Sequence, residues 1–279
     1  MSDAAIVLFA YNRPSALRRT IKSLQAARTT LAHTSPADAL IPLIVAIDGP
    51  RSDTKSQRIA ATVEKIARTE LPNTEVRLQQ RNRGLPAHLL ETLDAVFDRG
   101  SVHRVICVED DVDLSPTALI ALLTASREAT SPAHVIGASP NHRDGSLEHQ
   151  ALLVSAGAHQ ASRALLTDYI HRFCLDGAER EGAYGGRDHE GIAAWSAQVA
   201  RDANVAAPQG TSQDRIRELA WRTSGVPLVG LPLRLVTHHG LWGQHNTPWY
   251  ALRTGQLWQR LDRRPWEEIQ PLIRASVSR

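Results

Sequence analysis

The sequence predicts an α/β fold built on a mostly parallel sheet with helices on its faces. Three observations predict it. Short β-branched runs recur through the first half, apolar residues at helical spacing follow each run, and every run ends in a polar, turn-forming segment. Runs of four or five apolar residues with no polar alternation are those of strands covered on both faces, as parallel strands are.

The predicted strands are Ile6 to Ala10, Leu43 to Ile47, Val76 to Leu78 and Val105 to Val108. The helices between them are carried by Leu17, Ile21 and Leu24; by Ile59, Val63 and Ile66; by Leu89, Leu93, Val96 and Phe97; and by Leu119, Leu122 and Leu123. These positions recur every three or four residues, so each set forms one face of a helix. Ser115-Pro116 predicts the start of the fourth helix, with Ser as N-cap and Pro at the first helical position. Beyond Val135 the pattern loosens. Strands are expected at Val135 to Ala138 and Leu152 to Ser155, and helices around Ile192 to Val199 and Ile216 to Trp221. A Gly-rich break falls at Gly182 to Gly186. Strand-like text returns at Val226 to Val236, and a loop is expected at Trp242 to Trp249. No Pro/Gly/Ser linker separates the halves, so residues 1–130 and 131–279 are read as two functional parts of one domain.

Composition narrows the function classes. With 42% apolar and 22% charged residues among 279, the chain is neither disordered nor low-complexity. No run approaches a membrane span, and Met-Ser-Asp-Ala-Ala carries no basic region ahead of its apolar run, so no integral membrane segment and a cytoplasmic location are expected. Two cysteines, Cys107 and Cys174, make no disulfide framework. Lys+Arg 32 is almost balanced by Asp+Glu 29, and only 5% of residues are aromatic, so no nucleic-acid partner is expected. A basic nucleic-acid binder would instead show affinity falling steeply with salt.

In open parallel sheets ligands bind where the strands' carboxyl ends emerge. Here those exits read Tyr11-Asn12-Arg13, Asp48-Gly49-Pro50-Arg51, Gln80-Arg81-Asn82-Arg83-Gly84 and Glu109-Asp110-Asp111-Val112-Asp113. The last puts four carboxylates within five residues, a concentration of charge that a divalent cation offsets. Oxygen ligands without thiolate suit Mg²⁺ or Mn²⁺, with substrate phosphates completing the shell. The plainer alternative is an acidic turn favoured by the dipole of the helix after it. Asp48 is placed to accept from a base or ribose, or else belongs to an ordinary Asp-Gly turn. Arg13, Arg51, Arg81 and Arg83 are candidates to neutralise a diphosphate, Arg13 and Arg81 best by position. Neither a GxxxxGK[ST] nor a GxGxxG cradle follows any strand, which removes support from P-loop and dinucleotide-binding readings.

Four segments in order carry a resemblance: Val7-Leu8-Phe9-Ala10-Tyr11-Asn12-Arg13-Pro14, Val45-Ala46-Ile47-Asp48-Gly49, Asn82-Arg83-Gly84-Leu85 and Val108-Glu109-Asp110-Asp111. Over about residues 5 to 125, with a fainter likeness from about 210 to 245, the chain resembles GT-A-fold nucleotide-sugar glycosyltransferases. It is most similar to bacterial relatives of N-acetylglucosaminyltransferase I, whose DxD motif takes the form Glu-Asp-Asp. The resemblance implies a GT-A, Rossmann-like mixed sheet. It further implies that Arg13, Asp48 and Arg81 contact the nucleotide, that Asp110 contacts the ribose, and that Asp111 ligates Mn²⁺ or Mg²⁺, with Asp113 a further ligand and Glu109 holding the loop.

The same resemblance implies that the second half builds the acceptor site and supplies a carboxylate base. Asp214 in Ser212-Gln213-Asp214-Arg215-Ile216 is the candidate, although Ser212-Gln213 stands where the family often has a tryptophan before that Asp. Asp188, Glu190 and Glu181 are the alternatives. His239, in His238-His239-Gly240-Leu241-Trp242-Gly243, falls where some GT-A enzymes take another metal ligand, and Trp242 would cover the donor as part of a closing loop. The implied activity is metal-dependent, inverting transfer of a sugar from a nucleoside diphosphate, with UDP the family default. The acceptor is a glycan, peptide, lipid-linked saccharide or natural product. A nucleotidyltransferase and a non-catalytic nucleotide-sugar binding module are the rival readings.

Overall fold

In a computed structural model of the chain, residues 3–142, 144–174, 188–239 and 259–277 are described. The first half runs β1 (Ala4–Ala10), α1 (Pro14–Thr34), a 3-10 turn (Pro36–Asp38), β2 (Leu43–Ile47), α2 (Thr54–Glu70), β3 (Glu75–Leu78), α3 (Leu85–Phe97) and β4 (Arg104–Glu109). Then follow β5 (Val112–Leu114), α4 (Ala118–Glu128), β6 (Val135–Gly137), β7 (Ala151–Ser155), α5 (Ala156–Phe173), α6 (His189–Asp202) and α7 (Gln213–Thr223). The described chain ends with β8 (Leu228–Gly230), β9 (Val236–His238) and α8 (Trp266–Val277).

Seven strands form one sheet in the order β3-β2-β1-β4-β7-β6-β8. The β3, β2, β1 and β4 strands are mutually parallel, β7 runs antiparallel to β4 and β6, and β8 lies parallel to β6. This is the mixed, mostly parallel sheet expected, and its single hydrogen-bonded ladder crosses the boundary near residue 130. The four parallel strands deliver their polar exits to one edge, which makes the site possible.

Alternation along β1 builds the core. Ile6, Leu8 and Ala10 pack on one face with Leu17, Ile21 and Leu24 of α1 and Leu119 and Leu122 of α4. Ala5, Val7 and Phe9 pack on the other with Leu89, Leu93 and Val96 of α3 and Trp221 of α7. No residue of β1 exceeds 4% exposure, so its unbroken apolar run follows from cover on both faces. A third cluster joins Ile170 of α5, Ile192 of α6 and Ile216 of α7.

Two local readings are corrected. Ser115 is not an N-cap, because α4 begins at Ala118 and the Ser115 hydroxyl donates to the Asp262 carbonyl at 2.6 Å. The reason is strand pairing: Val112–Leu114 forms a ribbon with Val236–His238, and the Ser115 amide continues it by donating to Leu235 at 2.8 Å. The strand-like stretch Val226 to Val236 is two strands in different sheets. Leu228–Gly230 joins β6, and the chain then turns so that Val236–His238 meets β5 at the end of β4. The Gly-rich break and the Trp242 loop lie outside the described residues, and no described helix is long and apolar enough to cross a membrane.

Candidate active site

Strand β4 ends at Glu109, and the turn Asp110-Asp111 leads directly into β5. A turn locked between two strands holds its side chains where solvent does not reach: Asp110 is 2% and Asp111 0% exposed. Each buried carboxylate is met by donors, as desolvation requires. Asp110 Oδ2 accepts from the Tyr11 amide at 3.0 Å, and its Oδ1 lies 3.2 Å from Arg13 Nη2. Asp111 Oδ2 is held by Arg13 Nη1 and by His238 Nε2, the latter at 2.7 Å. Arg13 thus reaches both acids from the start of α1, where Pro14 sets the first helical turn. Asp111 Oδ1 is buried and has no hydrogen-bond partner.

Burial pushes the Asp110 carboxyl above its usual range, against the pull of Arg13. Glu109 is pushed up to about 7, first by burial and then by the negative charge of Asp214, with Arg13 and His238 opposing. That second cause is spatial information, since the two carboxyl groups feel each other from opposite halves of the chain.

The two histidines diverge because neighbours on a strand point to opposite sides. The imidazole at the Asp111 carboxylate is that of His238. His239 donates its amide to the Asp111 carbonyl at 2.9 Å, and its ring lies 3.4 Å from Thr20 Oγ1 and 4.0 Å from Asp113 Oδ1. Asp113 is gripped by Arg19, with Nε at 2.9 Å. Both histidines have pKa values lowered by burial, which favours the neutral, ligating form. Among the described residues no group of three or more His, Cys, Asp or Glu forms a closed cation site. What is present fits an open one: a carboxylate with an unused buried oxygen, an imidazole beside it, and an Arg holding their charge.

Asp48 is 4% exposed and has all its acceptor capacity in use. Its Oδ1 accepts from the amides of Gly49 at 2.9 Å and Arg83 at 2.8 Å, and its Oδ2 from Asn82 Nδ2 at 2.9 Å and the Gly84 amide at 3.1 Å. It ties the exits of β2 and β3 together. Gly49 is required there, because a Cβ would stand 2.4 Å from the Arg81 backbone. Arg81 is exposed beside this junction, whereas Arg83 is paired with Glu91, its Nε at 3.1 Å. Gly84 caps α3 with φ of 73°, a conformation natural to glycine.

Asp214 lies in the first turn of α7, capped by Ser212, whose hydroxyl accepts from the Arg215 amide at 3.4 Å. Its side chain is 39% exposed, but Oδ1 is buried, without a hydrogen bond, 3.6 Å from His149 Nδ1. His149 Nε2 lies 3.1 Å from Glu218 Oε1, which also accepts from the Leu147 amide at 2.6 Å. Burial opposes ionisation of Glu218, yet His149 and the Leu147 amide hold its carboxyl below the usual range. A half-open carboxylate backed by a buried imidazole is chemically a proton acceptor. Of the alternatives, Asp188 caps α6, accepting from the Gly191 amide at 2.7 Å, and Glu190 is exposed. Glu181, like Trp242, lies outside the described residues. His238, His149 and Glu218 were not singled out by the sequence; only the paired His238-His239 hinted at the first.

Residues 1–129 match the model of the GNT-I family. The match covers the four segments that carry the resemblance, and it upholds that resemblance to glycosyltransferases over the first half of the chain. No curated protein matches the chain. Among solved structures, the chain is similar to galactosyltransferase LgtC in complex with donor and acceptor sugar analogs, at 16% identity, 96% of this chain, 99% of that one and a TM-score of 0.41. It is similar to glucosyl-3-phosphoglycerate synthase from Mycobacterium tuberculosis, solved with Mn²⁺, UDP and phosphoglyceric acid, at 16% identity, 62% and 65% coverage and a TM-score of 0.35. A cytidylyltransferase from Leptospira borgpetersenii matches at 10% identity, 59% and 65% coverage and a TM-score of 0.38. The chain spans 65% of the length of each of these last two proteins.

Proposed function

We propose that this chain, whose first 129 residues carry the GNT-I family pattern, is a divalent-metal-dependent, inverting glycosyltransferase that moves a sugar from a nucleoside diphosphate, UDP by preference, to an acceptor hydroxyl. Residues 1–130 form the donor half and residues 131–279 the acceptor half. The observation that carries the reading is the buried Asp111, with one oxygen unused, facing His238 and Arg13 at the exit of β4.

Asp111 and His238 are the residues to hold Mn²⁺ or Mg²⁺, with Asp113 and His239 behind them. When bound, the ion supplies positive charge that stabilises the departing diphosphate. Arg13 adds to that charge once it is released from the carboxylates, and Arg81 contributes from the β3 exit. Asp110 takes the ribose, and Asp48 holds the β2 and β3 exits in place beneath the nucleotide. Asp214 accepts the acceptor proton as the oxygen attacks C1 and the bond from C1 to the phosphate oxygen breaks, the pair of electrons leaving with the diphosphate. A single displacement of this kind inverts the anomeric centre. His149 keeps the buried oxygen of Asp214 in a polar setting and leaves the exposed one for substrate.

The test is thermal stabilisation of the purified protein by nucleoside diphosphates and nucleotide sugars, each with Mn²⁺, Mg²⁺ or chelator. A shift that needs both metal and nucleoside diphosphate supports the reading. The same shift with a nucleoside triphosphate only would favour nucleotidyl transfer, and binding of a nucleotide sugar without turnover would favour a binding module.

A further inference from the structure

Arg217 is 7% exposed, one helical turn beyond Asp214 on α7, and its Nη2 is buried without a hydrogen bond. Two further buried polar atoms on the same helix face share that condition: Gln213 Oε1 four residues earlier and Trp221 Nε1 four residues later. Gln213 is 7% and Trp221 2% exposed. All three side chains line one cavity of about 20 Å³, walled by Leu89 and Leu93 of α3 and by Leu166 and Ile170 of α5. A space of that size takes a single particle as large as a water molecule and excludes a carboxylate or a phosphate.

A buried guanidinium without a counter-charge is costly to the fold. Among the described residues no carboxylate supplies one. Asp94 is engaged by His159 at 2.8 Å and by Arg163 at 2.8 Å, and Glu218 by His149 at 3.1 Å and Arg222 at 3.6 Å. Cys107, pushed up to about 12 by burial against the pull of Arg217, is a neutral thiol. The Trp221 ring, 5.1 Å from the guanidinium carbon, offers a cation–π contact, which offsets only part of the loss. The cavity therefore joins a buried cation to a buried indole N–H on a largely aliphatic wall. Turning the Gln213 amide over exchanges its oxygen with its NH₂ group and adds a third donor.

We propose that this cavity is a halide site, and that a chloride ion held by Arg217 and the Trp221 N–H locks α7 against α3 and α5. Chloride is monatomic, fits a water-sized space, and accepts hydrogen bonds from both groups. A water molecule in the same place would satisfy the donors but leave the positive charge of Arg217 unopposed, and a metal cation would be repelled by it. Chloride brings the one negative charge that Arg217 lacks. The site stands on these residues alone and does not depend on the glycosyl-transfer reading.

The experiment follows the Tm of the purified protein as sodium chloride replaces sodium gluconate at constant ionic strength, gluconate being too large for the cavity. The wild type is expected to gain about 2 °C or more along a saturating curve, and bromide to act as chloride does. Arg217→Met, which keeps the bulk and removes the buried charge, should fold and show no saturating response to either halide. Trp221→Phe should raise the chloride concentration at half-saturation about tenfold. Crystals of the wild-type protein grown in bromide read the site without any variant, and anomalous signal beside Arg217 Nη2 and Trp221 Nε1 supports it. An ordered water there with no bromide overturns the proposal. So does a Tm that does not saturate with chloride, or a saturating response that persists in Arg217→Met.

Discussion

His238 Nε2 lies 2.7 Å from Asp111 Oδ2, joining the far end of the described β9 to the acidic turn after β4. The pairing of Val112 with His238 across the β5–β9 ribbon sets this contact, so the ribbon is what completes the candidate metal position. Asp111→Asn and His238→Ala are each expected to weaken Mn²⁺-dependent UDP binding by tenfold or more. His239→Ala, whose ring faces Asp113 and Thr20, should cost less. Isothermal titration with and without Mn²⁺ measures all three, and a His239 effect larger than that of His238 would reverse the assignment.

Asp214 is the second point where chemistry is concentrated. Asp214→Asn is expected to leave donor affinity nearly unchanged while lowering kcat by 10² or more, the size of a lost general base. His149 acts through Asp214 and touches no substrate, so His149→Gln should lower kcat by about tenfold, ~1.4 kcal/mol of barrier, with KM for the donor unchanged. Steady-state kinetics with a saturating acceptor decide both. Wild-type turnover in Asp214→Asn moves the base elsewhere.

Where the sequence was easily read, burial did the work. Strands β1 and β2 are covered on both faces, so their apolar runs stand out, and the parallel order brings the polar exits together without further information. The β5–β9 ribbon is three residues a strand and half polar, and only its register distinguishes His238 from His239. Ser115 has the chemistry of a cap but is drawn into that ribbon, so local propensity lost to strand pairing. Asp48 was legible as a site residue, yet its four hydrogen bonds within the loop come from residues 49 and 82–84, which no local pattern joins. His149 and Glu218 meet across 69 positions, and Arg217 reads as a surface charge until α7 is packed against α3 and α5.

The junction of β2 with the β3 exit should be intolerant of substitution in two distinct ways. Gly49→Ala puts a methyl group into the Arg81 backbone, which forces the two loops apart at a cost of about 1–3 kcal/mol. Asp48→Asn keeps the volume but turns one acceptor oxygen into an N–H facing donors, leaving buried amides unmet at a similar cost of about 1–3 kcal/mol. Urea unfolding gives both values. If Asp48→Asn unfolds like wild type but loses UDP affinity, its main work is on the ligand.

His134 gives the clearest pH signature. Its Nε2 lies 2.7 Å from Ser126 Oγ and its Nδ1 2.8 Å from the Ser131 carbonyl, so a neutral ring serves both. Burial lowers its pKa from the ordinary histidine value of 6.5, against the Ser131 carbonyl and helped by Arg104. The unfolded chain therefore takes up the proton first as pH falls below 6.5, and stability from this group is present above that pH and lost below it. Glu109, pushed up to about 7, acts with the opposite sign in the same window, and His88, His159, His238 and His239, also lowered by burial, act with the same sign, so total stability mixes them all. The difference between wild type and His134→Gln isolates the histidine. At pH 7.5 the wild type should be the more stable, and that advantage should shrink by up to about 1.4 kcal/mol per pH unit below pH 6.5. Urea unfolding of both proteins in chelator across this range measures it; an advantage that stays constant or grows as pH falls would mean that His134 is protonated in the folded protein.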